Sequence, residues 1–172
     1  MEALYKTSLW QQFGAAIDML DNALRDCPEE HWQSSLWPPP EDAPGLSDFW
    51  YLGYHTLFWL DCYLHNSEES FAPPPPYTLS EFDPAGLMPD RVYTKDEMRD
   101  YLQFCRQKCQ NAILSLNDES ASRITHFGTR QMPYYELLLY SMRHVQDHTA
   151  QLNLFLGQQN IPVISWVSKA KA

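Results

Sequence analysis

Positive charge is scarce in this sequence. Only 12 lysine and arginine residues stand against 22 aspartate and glutamate residues, which gives a formal net charge of -10. A surface with this charge repels the phosphate backbone of nucleic acids and the anionic face of a membrane. We therefore expect neither nucleic acid nor a membrane as a main partner.

Long uninterrupted apolar runs are also missing. Every apolar stretch is broken before the ~18 residues that a membrane-spanning helix needs, and the first residues, MEALYKTSLWQQFG, lack the apolar core of a signal peptide. The four cysteines, Cys27, Cys62, Cys105 and Cys109, show no CxxC spacing and fall inside helical patterns, which argues against a disulfide framework. These absences predict a cytoplasmic protein in a reducing environment.

Signatures of common catalytic sites are absent as well. The six glycines form no phosphate-binding loop, and neither a nucleophile elbow nor a Ser-His-Asp order is present. Aromatic side chains, in contrast, make up 14% of the 172 residues, and they supply the large apolar surface that a substantial core requires. We expect residues 1–172 to form one domain.

Apolar residues recur at helical spacing in four segments. The first predicted helix covers residues 2–26 and ends at Cys27 and Pro28, because the residue before a proline is driven out of the helical conformation. The second predicted helix covers residues 47–66, with Ser47 as its candidate N-cap. It is apolar on nearly all sides, as a helix buried against several neighbours would be.

Two further helices complete the pattern. Thr94 and Glu97 form a capping box at the start of the third, which runs to about Asn117. Pro133 opens the fourth, and Gly157 ends it. The sequence therefore predicts an all-α protein, a four-helix bundle, whose topology the pattern leaves open.

The connections are less regular. Residues 66–94 contain six prolines and cannot sustain a helix or a central strand. We expect this long loop between helices two and three to be more mobile than the helices and to border the functional site as a lid. Residues 125–132 are interpreted as a turn or short hairpin, and residues 158–172 are expected to form an extended tail over the bundle.

Three histidines are the candidate site. His144 and His148 are four residues apart on the last predicted helix, so their side chains lie about 6 Å apart on one face, although such pairs are common by chance. His55 lies in the apolar segment WYLGYHTLFWL, where an unpaired imidazole would lose hydrogen bonds worth roughly 1–3 kcal/mol. A backbone or tyrosine oxygen would satisfy it, and so would a metal ion shared with a facing helix.

A metal ion shared by these three histidines is the hypothesis we favour. Three neutral imidazoles with an open position suit zinc or nickel best, and iron, cobalt and copper are also compatible. A di-iron centre would need paired Glu-x-x-His units, which neither helix bearing these histidines contains. The sequence therefore predicts a mononuclear divalent-metal site at His55, His144 and His148.

This constellation resembles the DinB-like superfamily, small helical bundles that include metal-dependent thiol transferases. The resemblance rests on His55 inside helix two and on the helix-four segment HVQDHTAQLNLFLG, and it extends over residues 1–157. It implies that the same three histidines bind metal, that the helices run up-down-down-up, and that homodimers are frequent. Asp147 beside His148 and the strong acidity depart from many relatives, which leaves the substrate open.

Two classes of function follow from a metal site of this kind. The first is a metal-dependent enzyme of the thiol-transfer or hydrolytic kind, in which the ion lowers the pKa of a bound thiol or water. Its substrate would be a small molecule such as a thiol. The alternative is a non-catalytic metal- or ligand-binding bundle that acts as a dimeric interaction module. Helix two is apolar almost all round and needs a cover, which either the long loop or a second subunit would supply, and a symmetric homodimer is expected on this basis.

Other polar and aromatic residues receive weaker predictions. His126 is expected to be a solvated loop histidine, and Cys105 and Cys109 are expected to be core residues. Gln151 lies one turn after His148 and either contacts the site or faces solvent. Aromatic residues that could wall an apolar pocket are Tyr54, Trp59 and Trp166, although aromatic residues in a bundle are usually plain core.

Overall fold

The computed structural model describes residues 3–39, 41, 44–65 and 67–171. The elements are, in chain order, helix α1 (Ala3–Asp26), a 3₁₀ turn (Glu29–His31), helix α2 (Phe49–His65), a second 3₁₀ turn (Ser80–Phe82), helices α3 (Lys95–Ser115) and α4 (Asp118–Ser122), strands β1 (Ile124–Phe127) and β2 (Arg130–Pro133), and helix α5 (Tyr134–Gln158). The described chain is mostly helical, as predicted. A small antiparallel sheet corrects the expectation of an all-α protein.

The four long helices pack against one another around an aromatic-rich core. Helices α1 and α2 each pack against both α3 and α5. The four helices lie where the apolar periodicity predicts them, while residue 2, the predicted start of the first, and residue 66, the predicted end of the second, fall outside the described residues. Helix α3 begins with the predicted capping box, in which the Thr94 side chain accepts a hydrogen bond from the Glu97 backbone N–H.

The predicted N-cap of α2 is wrong. Helix α2 begins at Phe49, and the first helical hydrogen bond runs from the Leu52 N–H to the Asp48 carbonyl at 3.0 Å. Ser47 lies in the turn before the helix, and its carbonyl accepts from the Leu36 N–H at 2.8 Å. This pairing turns the Ser47 hydroxyl into the protein, where it is buried without a hydrogen-bond partner among the described residues.

The predicted end of the last helix is also wrong. Gly157 lies inside α5, and the chain leaves the helix at Asn160, which has a φ of 58°. Two bonds close the terminus: the Ile161 N–H donates to the Leu156 carbonyl at 2.9 Å, and the Asn160 N–H donates to the Gly157 carbonyl at 3.1 Å. This is a Schellman motif, in which asparagine replaces the usual glycine.

The hairpin predicted within residues 125–132 is present. Strands β1 and β2 pair antiparallel with Ile124 opposite Pro133, and Gly128 takes the positive φ of 55° that favours glycine in a two-residue turn. Pro133 therefore ends a strand and directly precedes α5. Helix α4 is an element that the sequence pattern did not reveal, and the Asn117 side chain caps it by accepting from the Ser120 N–H at 2.8 Å.

The connection between α2 and α3, residues 67–94, packs over α2. The Phe58 ring contacts the rings of Phe71 and Phe82 at centroid distances of 5.2 and 5.1 Å, and the Tyr54 hydroxyl donates to the Thr78 carbonyl at 2.8 Å. With this cover, 14 of the 17 residues of α2 are buried. The apolar surface of helix two, from which we expected a dimer, is thus covered within one chain.

The C-terminal residues return along α1. The Asn22 side chain donates to the Ile164 carbonyl at 3.0 Å, and the Ala170 N–H donates to the Gln11 carbonyl at 2.9 Å. Trp166 lies on this segment with 71% of its surface exposed, so the prediction that it walls an apolar pocket is wrong. None of the helices in the described part of the chain is long and apolar enough to cross a membrane.

Candidate metal centre

The packing of α2 against α5 brings the three predicted histidines together. His55 lies in the middle of α2, and His144 and His148 lie one turn apart on α5. The Nε2 atom of His144 is 3.3 Å from Nε2 of His55 and 3.1 Å from Nε2 of His148. Within the described residues, the side chains that place ligand atoms within 4.8 Å of one another at this site are these three histidines.

Hydrogen bonds on the outer nitrogens orient two of the rings. Nδ1 of His55 lies 2.8 Å from Oε2 of Glu81, and a carboxylate oxygen can only accept, so this Nδ1 carries the proton. Nδ1 of His148 lies 3.0 Å from Oε1 of Gln151, whose amide nitrogen donates to Oδ2 of Asp147 at 3.3 Å. Both rings therefore present the lone pair of Nε2 to the centre of the cluster.

His144 completes the cluster from the buried side. Its Nδ1 is buried and has no hydrogen-bond partner among the described residues, and its ring contacts the ring of Tyr63 at a centroid distance of 6.2 Å. Burial, together with the neighbouring His148 and His55, lowers the pKa of His144 to about 3. Burial also lowers the pKa of His148. The surroundings thus favour neutral imidazoles at both positions, and the neutral form is the one that binds metal.

The distances suit a single ion. Bonds of about 2.0–2.1 Å in a tetrahedral arrangement place ligand nitrogens about 3.3–3.4 Å apart, close to the separations of the Nε2 atoms. Without an ion, His144 can donate to only one of the two lone pairs that face it, so the other stays unsatisfied. The donor set therefore fits a divalent metal and is poorly explained by hydrogen bonding among the histidines alone.

The cluster is reachable from solvent. The side chain of His55 is 28% exposed, and His144 and His148 are half-buried. A groove of about 570 Å³ adjoins the cluster, and its lining residues are Tyr140, Arg143, His144, Gln146, Asp147 and Ala150. His144 is the histidine that lines this groove, so a small molecule in it would lie beside the cluster.

The other sequence candidates lie outside the cluster, apart from Gln151 and Trp59. His126 is exposed on β1, as expected of a solvated histidine. Cys105 and Cys109 are buried core residues, and burial raises the pKa of both thiols, which agrees with the prediction for them. Asp61, on the same helix as His55, is buried and bonded instead to the side chains of Tyr101 and Lys108.

Glu81 is the functional residue that sequence reasoning missed. It lies in the second 3₁₀ turn, Ser80–Phe82, of the connection that follows α2, and its side chain is only 5% exposed. Burial opposes ionisation of Glu81, but donors from His55, Tyr51 and Trp59 outweigh it and lower the pKa of this carboxyl. The connection contains several other acidic residues, and no local pattern distinguishes Glu81 from them.

Comparison with known proteins shows the family to which this fold belongs. A family model described as the DinB superfamily matches residues 11–152, a range that includes all three histidines. A DinB-like protein from Bacillus subtilis shares the fold with a TM-score of 0.60 and 12% identity, over 92% of this chain and 98% of that one. No curated protein sequence matches the chain. The chain belongs to the DinB superfamily.

Proposed function

We propose that His55, His144 and His148 bind one divalent transition metal ion through their Nε2 atoms. The observation that carries this proposal is the convergence of the three Nε2 atoms while Nδ1 of His55 and of His148 is held by an acceptor. In this proposal the four long helices act as a four-helix bundle, a framework in which metal sites are assembled from facing helices.

Zinc and nickel are the ions we propose first. The ligand set is imidazole alone, which suits zinc, nickel, copper, cobalt and ferrous iron, whereas magnesium and calcium prefer oxygen ligands. The affinity of such a site for divalent metals follows their general order, in which copper binds most tightly. The metal that is bound in the cell therefore depends on the availability of each metal rather than on affinity alone.

We further propose that the site is catalytic. When bound, the ion would lower the pKa of a thiol or water and so supply a nucleophile at neutral pH. Two features of the chain support this role: the described residues offer three protein ligands and no fourth, and a groove adjoins the cluster. The side chains of Tyr140 and Arg143 on the groove wall would position a small substrate beside the histidines. A thiol is the substrate we propose first.

A non-catalytic metal-binding module is the second candidate. Large apolar side chains are exposed on α5 and on the C-terminal segment, where Leu154 is 64% and Ile164 63% exposed. Such side chains are typical of surfaces that contact another protein. The module would retain the metal ion for stability and use this surface for association.

Thiol binding to cobalt-loaded protein tests the thiol-transfer form of the catalytic proposal. We expect titration with a small thiol to produce a sulfur-to-cobalt charge-transfer absorption, because the thiolate takes the open position beside the three histidines. His126→Ala should behave like the wild type, since His126 is exposed on β1 away from the cluster. A cobalt-loaded protein whose spectrum stays unchanged at saturating thiol would contradict the thiol-transfer proposal and favour hydrolysis or the non-catalytic module.

A further inference from the structure

Glu81 is the residue through which the connection between α2 and α3 reaches the histidine cluster. One oxygen of its buried carboxylate, Oε2, accepts from Nδ1 of His55 at 2.8 Å and from Nε1 of Trp59 at 2.9 Å. Both donors lie on α2, one helical turn apart. This oxygen is thus held by two side chains of the helix, and in turn it fixes the plane of the His55 ring.

The same turn of the connection is anchored on both sides of Glu81. The Tyr54 hydroxyl lies 3.2 Å from Oγ of Ser80, and the Phe82 ring packs against the Trp59 ring at a centroid distance of 5.6 Å. A buried carboxylate is costly unless charged or polar donors compensate it, so turning the His55 ring away from Glu81 would weaken the docking of this turn on α2. Docking of the connection and orientation of a metal ligand therefore depend on each other.

We propose that Glu81 is a positioning residue that couples metal binding at His55 to docking of residues 67–94 on α2. The inference rests on the proposed metal site. A carboxylate bonded to Nδ1 fixes the tautomer of a metal-binding imidazole and strengthens it as a ligand, and loss of such a partner typically lowers metal affinity by roughly 10–100-fold. Coupling is reciprocal, so a metal ion that holds His55 in place also stabilises the docked connection.

The test measures zinc affinity by competition with a chromophoric chelator and, separately, the rate of proteolysis within residues 67–94 with and without zinc. In the wild type we expect zinc to slow cleavage. Glu81→Gln keeps the shape of the side chain but loses the charge, so we expect affinity to fall about ten-fold or more and protection by zinc to weaken. Glu69→Gln is the matched control, because Glu69 is an exposed acidic residue of the same connection.

The melting temperature of the metal-free protein separates positioning from a purely structural role. Positioning predicts that Glu81→Gln lowers zinc affinity even when the metal-free variant melts close to the wild type. Glu81→Asp, which restores the charge on a shorter side chain, should recover part of the affinity. Wild-type affinity and zinc protection in Glu81→Gln would overturn the inference while leaving the metal site intact, whereas a wild type that binds no zinc would overturn the proposed function itself.

Discussion

His144 occupies a site in which the protonated imidazole is strongly disfavoured. Burial and two neighbouring imidazoles lower its pKa to about 3, against an ordinary value of 6.5. Between these two pH values the unfolded chain binds a proton that the folded metal-free protein excludes. The contribution of His144 to stability is therefore complete above pH 6.5 and is lost as the pH falls toward 3.

The first prediction concerns this pH window. In metal-free protein the free energy of unfolding should fall with decreasing pH by up to ~1.4 kcal/mol per pH unit from His144 alone, because one extra proton binds to the unfolded chain. Urea unfolding at pH 7.5 and pH 5.5 measures this slope. His144→Gln should reduce it, and His126→Gln should not. An identical slope in His144→Gln and the wild type would show that His144 is protonated as easily in the folded protein as in the unfolded chain.

The three histidines could be predicted from the sequence, and their outer partners could not. The spacing of His144 and His148 fixes their common face once the segment is helical, and the apolar surroundings of His55 indicate that its imidazole needs a partner. Glu81 becomes a partner of His55 only because a proline-rich connection docks on α2. This tertiary contact has no periodic signal in the sequence. Gln151 lies on the same helix as His148, so spacing suggested a contact but could not decide between the site and solvent.

Helix α1 and the C-terminal segment meet in a close contact at Gly14. A Cβ atom at this position would lie 2.6 Å from Cβ of Ala170 and 3.1 Å from atoms of the Trp10 ring. Beyond this contact, the buried carboxylate of Asp18 accepts from the Lys171 N–H at 2.6 Å and from Nε of Arg106 at 3.0 Å. The absence of a side chain at Gly14 therefore allows the end of the chain to reach this carboxylate.

The second prediction tests that contact by substitution and rescue. Gly14→Ala should displace the segment around Ala170 because the two Cβ atoms cannot both fit, and backbone amides of residues 168–171 should then exchange hydrogen faster. Gly14→Ala combined with Ala170→Gly should restore slow exchange, since the second change removes the opposing methyl group. Ala15→Ser on the same helix serves as a control. If the amides of residues 168–171 exchange as slowly in Gly14→Ala as in the wild type, the segment stays docked and the prediction is wrong.

The helices were more predictable than their ends. The apolar periodicity of a helix is spread over many residues, so it predicts α1, α2, α3 and α5 clearly. The capping box of Thr94 and Glu97 marks the start of α3 with only two side chains. Ser47 and Gly157 failed as signals of helix ends because the end of a helix also depends on the backbone conformation and hydrogen bonds of the neighbouring residues outside it. The Ser47 carbonyl is bonded to the Leu36 N–H in a turn before the helix, and Asn160 supplies the left-handed turn that Gly157 was expected to supply.

The assembly state of the molecule remains a prediction. Burial of α2 by residues 67–94 means that a symmetric dimer would have to use another surface, and Leu154 on α5 and Trp166 beyond it are among the exposed apolar side chains that could form it. A two-fold interface places the same patch of both chains in contact.

The third prediction is that sedimentation at micromolar concentration detects a species of twice 20.1 kDa. Leu154→Glu should shift it to the monomer, because a charge would be buried at the two-fold contact. Leu87→Glu, at an exposed position in the connection, should not. A monomer of 20.1 kDa with and without zinc would leave coverage by the connection as the complete explanation for the apolar α2.

At the scale of the whole molecule, the fold places histidines from two helices around one point. This arrangement is the basis of every functional statement made for the chain, so metal stoichiometry tests the account most directly. The protein must be prepared without a histidine tag, because a tag would contribute ligands of its own.

Zinc or nickel content after equilibrium dialysis at pH 7.5 should be one ion per chain for the wild type and for His126→Ala. It should fall close to zero for His55→Ala, His144→Ala and His148→Ala, because two imidazoles hold a divalent ion far more weakly than three. Stoichiometric metal in all three variants, or none in the wild type, would contradict the account.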